Sequence, residues 1–280
     1  MKDVGKALVR PPPRHNTKTA MALLEVKQLD RYFGGLHAVN RVDFSVNAGE
    51  IKALIGPNGA GKTTVFNLVA GNLEPHGGTI DFSGAPIQKL KPHAIAVRGV
   101  ARTFQNIKLF AGMTALENVM VGRHPRGRAG FIAGMLNLPW TWPEERDIRE
   151  QALAHMDFLG IADLADQPAT SLAFGQQRAV EFARALASDP KLLLLDEPAA
   201  GLNIYETKQI AAQIVHIRNQ GITVLIVEHD MSLVMKIADS IVVLNEGAKI
   251  AEGSPKAIQA NREVIRVYLG EDDDATYQKS

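Results

Sequence analysis

The sequence predicts an α/β fold in which a largely parallel sheet follows an antiparallel β subdomain and is interrupted by an inserted helical subdomain. Residues 23–46 alternate apolar and polar side chains, which is typical of antiparallel strands with one buried face. In the second half, short apolar runs alternate with helical patterns, an order that favours a parallel sheet. Residues from about 106 to 175 show helical periodicity and no strong strand, which indicates the insertion.

Both ends of the chain are predicted to be tails. Residues 1–21 are expected to be disordered, because the run Pro11-Pro12-Pro13 blocks regular structure and almost every charge is basic. Met21 remains an alternative start to Met1. Residues 271–280 begin with four acidic side chains and are expected to form a solvated acidic tail. The folded domain is therefore predicted to span residues 22–270.

In the first third, Ile51–Ile55 is expected to be a compact strand that ends at Gly56, and residues 79–82 a short strand after a Gly-Gly turn. Helices are expected at 64–70, around Leu116, and at 144–159, where apolar residues form one stripe. The later predicted elements are helices at 177–187, 204–219 and 231–238, strands at 192–195 and 223–227, and a closing hairpin of 241–244 with 248–251.

A glycine-rich loop lies between the strand at Ile51–Ile55 and the next helix. Gly56-Pro57-Asn58-Gly59-Ala60-Gly61-Lys62-Thr63 fits G-x-x-x-x-G-K-[ST], the Walker A pattern, and Thr64 follows it. The glycines let successive N–H groups face the β- and γ-phosphates, and the helix N-terminus favours the same anion. Lys62 supplies a positive charge, and the Thr63 hydroxyl can ligate Mg²⁺. The loop therefore predicts ATP binding; the alternative is a chance glycine-rich turn.

A second chemical signal is the apolar run 192–195 that ends in Asp196 and Glu197. Ligands bind at the carboxyl ends of strands in open α/β sheets. Asp196 is expected to hold Mg²⁺ through water, and Glu197 to act as the general base on the attacking water. Taken alone, such a strand end can also be merely solvated.

Composition excludes several other chemistries. The chain of 280 residues has no cysteine, which excludes disulfides, thiolate zinc sites and cysteine nucleophiles. Its formal net charge of +1 provides no strong field for nucleic acid, so none is expected as a partner. Because no apolar run reaches the roughly 18 residues of a spanning helix, any membrane role is expected to come through a partner.

Further segments resemble the ABC-type ATPases. The sequence Ser-Leu-Ala-Phe-Gly-Gln-Gln-Arg at 171–178 resembles their L-S-G-G-Q signature, and the segment 200–203 their D-loop. Gln105 matches their Q-loop glutamine, and His229 their switch histidine. Phe33 matches the aromatic residue that stacks on adenine, with Tyr32 as the neighbouring candidate. The resemblance covers roughly residues 22 to 270 in the family's order.

This resemblance implies an ABC cassette with a RecA-like parallel-sheet core. Glu197, His229 and Lys62 are implied to be catalytic, with His229 bonded to the γ-phosphate. Gln105 is implied to contact Mg²⁺ beside Thr63 and Asp196. The signature residues Ala173, Phe174, Gly175 and Gln176 are implied to bind the ATP of a partner subunit.

The signature departs from the family pattern at two positions. Ala173 stands where the family has serine, and Phe174 where it has glycine. The serine hydroxyl normally contacts the partner's γ-phosphate, so we hypothesise that the site served by this signature is weaker than one served by an intact signature.

The residues of these motifs are similar to those of the ATP-binding subunits of branched-chain amino acid importers, in particular the LivG type. The family implies a second related ATPase in a heterodimer, two permease subunits and, indirectly, a periplasmic binding protein. It also implies a peripheral place on the cytoplasmic face of the inner membrane. The motifs of importers of urea or short amides have much of the same sequence, so such an importer is one alternative. A soluble assembly ATPase is another. The apolar stretch 131–142 could contact lipid or permease, or pack locally.

Overall fold

The structure, a computed structural model, describes residues 22–123 and 142–269 and contains two sheets. The first sheet is antiparallel, four-stranded and ordered β2-β1-β4-β5. Its strands are β1 (Ala22–Phe33), β2 (Leu36–Asn47), β4 (Gly77–Phe82) and β5 (Ala85–Pro86). The two long strands each bury alternate apolar side chains, which confirms the antiparallel prediction for residues 23–46.

The second sheet has six strands in the order β10-β9-β3-β8-β7-β6. Neighbours are parallel except β9 and β10, which form the predicted closing hairpin. Its strands are β3 (Ile51–Ile55), β6 (Val100–Arg102), β7 (Leu192–Asp196), β8 (Thr223–Val227), β9 (Ser240–Asn245) and β10 (Ala248–Gly253). The carboxyl ends of β3, β6, β7 and β8 therefore meet at one edge of the sheet.

Helices cover this sheet and form the inserted region. They are α1 (Lys62–Val69), α2 (Pro92–Val97), α3 (Ala115–Val121), α4 (Trp142–Phe158), α5 (Phe174–Leu186), α6 (Ile204–Asn219), α7 (Met231–Ile237), α8 (Pro255–Gln259) and α9 (Arg262–Leu269). Single 3-10 turns occupy Ala162–Leu164 and Ala169–Ser171. In the part of the chain that the structure describes, none of these helices is long and apolar enough to cross a membrane.

The core lies on both faces of the parallel sheet. Every residue of β3, β7 and β8 is buried. One face packs on α5, α6 and α7, and the other on α1 and the antiparallel sheet. This arrangement explains why the strands are unbroken apolar runs, and it fixes their carboxyl ends in place.

Several elements differ from the sequence prediction. Helix α5 begins at Phe174 rather than 177, because the Gln176 side chain accepts the Ala173 N–H and caps the helix. The short elements β5, β6, α2, α8 and α9 were not predicted. The tails 1–21 and 271–280 and residues 131–141 of the apolar stretch lie outside the described residues. The domain boundaries remain predictions.

Candidate active site

The glycine-rich loop joins β3 to α1 and is wedged between two strands. A Cβ atom at Gly56 would lie 2.2 Å from the Leu244 carbonyl oxygen in β9. One at Gly61 would lie 2.4 Å from the Ala38 carbonyl oxygen in β2, and Gly61 also has a left-handed φ of 96°. Only glycine fits such approaches without movement of the backbone. The antiparallel sheet is thereby held against the start of α1.

Lys62 begins α1, and its side chain reaches back to the start of this loop. Its side chain is buried, and Nζ donates hydrogen bonds to the carbonyl oxygens of Gly56 at 2.7 Å and Pro57 at 2.9 Å. Burial lowers the pKa of Lys62, and the negative charge of Glu197 opposes that shift. The loop, its lysine and the acidic strand end therefore share one electrostatic environment.

Asp196 ends β7 and is 4% exposed. Its Oδ2 accepts a hydrogen bond of 2.8 Å from an Arg102 guanidinium nitrogen. The other terminal nitrogen of Arg102 donates to Oδ1 of Asn67, in α1, at 2.7 Å. Arg102 was not among the predicted site residues. Its position three residues before Gln105 was the available signal, but its distance in sequence from Asp196 hid the pair.

Glu197, Gln105 and His229 come together at the same sheet edge. Gln105 Nε2 donates to Glu197 Oε2 at 2.8 Å, and His229 Nδ1 lies 3.7 Å from that oxygen. Glu197 has a positive φ of 47°, which is rare for a residue with a side chain and is typical of functional positions. Its N–H donates to the Val227 carbonyl oxygen at 2.9 Å. The strand ends of β7 and β8 thus set the place of the carboxylate.

A buried ion pair on α5 holds the backbone of the segment that carries Gln105. Arg178 donates to the carbonyl oxygens of Phe104 at 2.8 Å and Gln105 at 2.9 Å, and to Glu181 at 2.6 Å. Glu181 in turn accepts the Phe104 N–H at 3.2 Å. Burial raises the pKa of Glu181, and Arg178 opposes the shift. Arg178 is the last residue of the signature-like segment 171–178, so hydrogen bonds join the helix that begins at the signature to the Gln105 segment.

Glu228 holds the backbone of the segment that carries His229. It is fully buried at the end of β8. Its carboxylate accepts backbone N–H groups from Ala199 at 2.9 Å, His229 at 3.0 Å and Asp230 at 3.4 Å. Burial raises the pKa of Glu228, and these donors oppose the shift. The carboxylate therefore ties the segment after Glu197 to the segment that carries His229. Glu228 was not among the predicted site residues, although its place beside His229 was a signal.

The signature residues begin α5 and lie beside the segment 200–206. Ala173 is the N-cap of α5 and has no hydroxyl to cap it. Phe174 is 43% exposed, and its ring lies against Gly201. A Cβ atom at Gly201 would lie 3.4 Å from a carbon of that ring. A Cβ atom at Gly175 would lie 3.2 Å from a Glu206 carboxylate oxygen. The altered signature and the D-loop segment therefore pack as one surface.

Two aromatic residues end β1 near the phosphate loop. Phe33 and Tyr32 are each 43% exposed. The Tyr32 ring stacks on the His37 ring, with centroids 3.9 Å apart, whereas the Phe33 ring has the Arg31 guanidinium 4.9 Å from its centroid. Both pairs lie in the β1–β2 hairpin, whose Ala38 carbonyl oxygen approaches Gly61.

The donor atoms near the loop suit a hard cation. Among the described residues, no three histidine, aspartate or glutamate side chains gather as a metal site. The predicted magnesium ligands Thr63, Gln105 and Asp196 offer a hydroxyl, an amide oxygen and a carboxylate. Mg²⁺ is commonly bound in this way, by few protein oxygens together with water and phosphate. The donor set therefore fits Mg²⁺.

Comparison with known proteins gives matches over most of the chain. The model of the ABC transporter family matches residues 39–200, and that of the branched-chain amino acid ATP-binding cassette transporter matches residues 248–274. A high-affinity branched-chain amino acid transport ATP-binding protein, BraF of Pseudomonas aeruginosa, is 47% identical over 89% of this chain and 98% of its own. LivG of Escherichia coli, which carries the same description, is 44% identical with the same coverage.

Solved structures give the same result for the fold. A nucleotide-free ATP-binding cassette from an ABC transporter has a TM-score of 0.78 at 32% identity, and covers 90% of this chain and 100% of its own. The ADP conformation of such a cassette has a TM-score of 0.79 at 33% identity, with the same coverage. The predicted α/β fold with parallel core, antiparallel subdomain and helical insertion is therefore confirmed.

Proposed function

The chain belongs to the ABC transporter family of ATP-binding, ATP-hydrolysing subunits, and from that premise we propose that it energises an importer of branched-chain amino acids. The observation that carries the catalytic part is the approach of Gln105 and His229 to the same carboxylate oxygen of Glu197, at the sheet edge that also bears the phosphate loop. The import part rests on the branched-chain amino acid family match at residues 248–274.

In the proposed reaction the loop 56–64 holds the phosphates of ATP and Lys62 balances their charge. Glu197 accepts a proton from water while the water oxygen forms a bond to the γ-phosphorus and the bond to the bridging oxygen of ADP breaks. His229 donates a hydrogen bond to the γ-phosphoryl oxygens. Mg²⁺, held by Thr63, Asp196 and Gln105, would neutralise charge on the phosphates.

Phe33 is proposed to stack on adenine. Its ring is exposed at the end of the hairpin that Gly61 holds against the loop. Tyr32, the other candidate, has one face covered by the His37 ring, and the Arg31 guanidinium lies over one face of the Phe33 ring. The choice of Phe33 therefore rests on its match to the aromatic position of the family.

A second ATPase subunit is proposed to complete the site. The signature 173–176 would serve the partner's ATP, and the partner's signature the ATP held here. Ala173 lacks a hydroxyl, and the Phe174 ring packs against Gly201. The two ATP sites of a heterodimer are therefore expected to differ in strength. Two permease subunits would hold the pair at the cytoplasmic face of the inner membrane, with a binding protein on the far side.

Uptake measurements test this proposal. The chain is expressed together with two permease subunits, a second ATPase subunit and a binding protein of the branched-chain amino acid type, in cells that lack their own branched-chain amino acid importer. We expect uptake of radiolabelled leucine, and loss of uptake when the chain carries Glu197→Gln. Uptake of urea or acetamide instead of leucine would overturn the substrate, and purification of the chain in a complex without membrane subunits would overturn the transport function.

A further inference from the structure

Arg102 makes a contact with Asp196 that the proposed reaction does not use. Strand β6 pairs with β7 in parallel, with Arg102 opposite Leu194. The Arg102 side chain therefore reaches forward to the Asp196 carboxylate on the neighbouring strand. The two side chains are 13% and 6% exposed, and the nitrogen–oxygen distance is 2.8 Å. This pair lies at the sheet edge that carries Glu197 and Gln105.

The guanidinium is fixed by further contacts. It donates to Asn67 at 2.7 Å, and Asn67 lies on α1, the helix that begins at Lys62. Its central carbon lies 6.0 Å from the centroid of the Phe66 ring and 5.8 Å from that of Phe104. Arg102 thus joins the helix of the phosphate loop, the acidic strand end and the segment that leads to Gln105.

Burial of the Arg102 guanidinium at this position lowers the stability of the fold. The Nε atom is buried and has no hydrogen-bond partner among the residues that the structure describes. An unpaired buried donor lowers stability, and so does removal of a charge from water. A side chain that served packing alone would avoid both costs if it were apolar.

We infer that Arg102 is a positioning residue whose positive charge compensates the negative charge of Asp196, so that Asp196 repels the phosphates of a nucleotide less strongly. This inference rests on the proposed role of Asp196 beside the phosphates. An uncompensated carboxylate there repels the phosphates of a nucleotide that arrives without metal, because like charges at short range and low solvent access interact strongly. Arg102 offsets that repulsion through Oδ2, and the other oxygen of Asp196 stays available to a metal.

The quantity that reports this role is a ratio of dissociation constants. The non-hydrolysable analogue β,γ-imido-ATP is titrated into the full chain by calorimetry, once with excess Mg²⁺ and once with EDTA. The ratio is the constant in EDTA divided by the constant in Mg²⁺. A purely structural salt bridge would change folding stability but would leave this ratio unaltered.

Three variants separate charge from hydrogen bonding. Arg102→Met removes both, Arg102→Gln keeps a donor but removes the charge, and Arg102→Lys keeps the charge. We expect the ratio to rise about tenfold in the Met and Gln variants and to stay close to wild type in the Lys variant. Thermal denaturation monitors folding; if the Met variant fails to fold, the comparison of Gln with Lys decides.

A control is the more exposed pair Arg218–Asp239, whose nitrogen–oxygen distance of 2.9 Å is close to the 2.8 Å of Arg102–Asp196. Asp239 additionally accepts the N–H of Ile51, at the start of β3, and so lies at the opposite edge of the sheet. Arg218→Met is expected to leave the ratio unchanged. A wild-type ratio in folded Arg102→Gln, or an equal rise in Arg218→Met, would overturn the inference. Failure of the wild type to bind the analogue with Mg²⁺ would instead contradict the nucleotide site itself.

Discussion

Gln105 donates a hydrogen bond from Nε2 to the Glu197 carboxylate at 2.8 Å, and so joins the end of β6 to the proposed general base. The Gln105 backbone is held in turn by Arg178 on the signature helix. Movement of that helix relative to the sheet would therefore be transmitted to the carboxylate that activates water.

Replacement of Gln105 by alanine should slow hydrolysis more than it weakens binding. A hydrogen bond to a charged group contributes about 1.5–3 kcal/mol, so we expect the turnover number to fall about 10-fold or more. Affinity for β,γ-imido-ATP should change less. Gln151→Ala is the control, because Gln151 makes the same kind of bond to Asp147, at 2.7 Å, on α4. Equal effects of the two variants on turnover would count against the role of Gln105.

Alanine at Gly61 should destabilise the chain more than alanine at Gly59. Both glycines have positive φ, 96° and 83°, so each substitution carries backbone strain of about 1–2 kcal/mol. A Cβ atom at Gly59 meets nothing within 4 Å, whereas one at Gly61 collides with the Ala38 carbonyl. We expect about 1–3 kcal/mol of further destabilisation for Gly61→Ala in urea denaturation without nucleotide. Equal destabilisation would show that the loop is not wedged against β2.

Serine at position 173 should have two separable effects. Gln176 accepts only the N–H of the N-cap residue, so a serine hydroxyl at the N-cap of α5 would add a bond to an N–H of the first turn. This bond should stabilise the fold by about 1 kcal/mol and raise the melting temperature of the isolated chain by about 2–4 °C. Serine also restores the hydroxyl for the partner's γ-phosphate, so ATPase activity of the assembled complex should rise. Stabilisation without any increase in activity would refute the hypothesis that Ala173 weakens the partner's site.

Glu228 provides a test by pH. Burial raises its pKa above the ordinary value of 4.5, so the folded chain binds this proton more tightly than the unfolded chain does. Its stabilising effect is then fully present below pH 4.5 and is lost as the pH rises through the folded pKa. We expect the unfolding free energy of wild type minus that of Glu228→Gln to fall as the pH increases above 4.5 and through the raised pKa of the folded chain. A constant or increasing difference would contradict the assigned direction.

The sequence predicted the strands of the core well because burial on both faces leaves an unambiguous apolar run. Ile51–Ile55 and Thr223–Val227 have the predicted bounds, and Leu192–Asp196 extends the prediction by one residue. Strand β6 was missed because Val100–Arg102 is too short to show a period. Helix α5 was placed too late because Phe174 and Gly175 are weak helix formers and the cap comes from Gln176, inside the helix.

The candidate site could be proposed from the sequence where neighbouring residues carry the chemistry. The loop 56–64 and the pair Asp196-Glu197 are continuous in sequence, and the structure places them at one sheet edge. The contacts of Arg102 with Asp196 and of Glu228 with Ala199 join residues far apart in the chain, and they depend on strand order and register. No local pattern contains that information.

The proposal that Glu197 is the general base is tested most directly by Glu197→Gln in the assembled complex, with ATP binding and phosphate release measured on the same preparation. The amide keeps the shape of the side chain but cannot take the proton from water. We expect ATP to bind with nearly wild-type affinity and hydrolysis to fall about 100-fold or more. Phosphate release at a near-normal rate would remove Glu197 as the base and contradict the proposed mechanism.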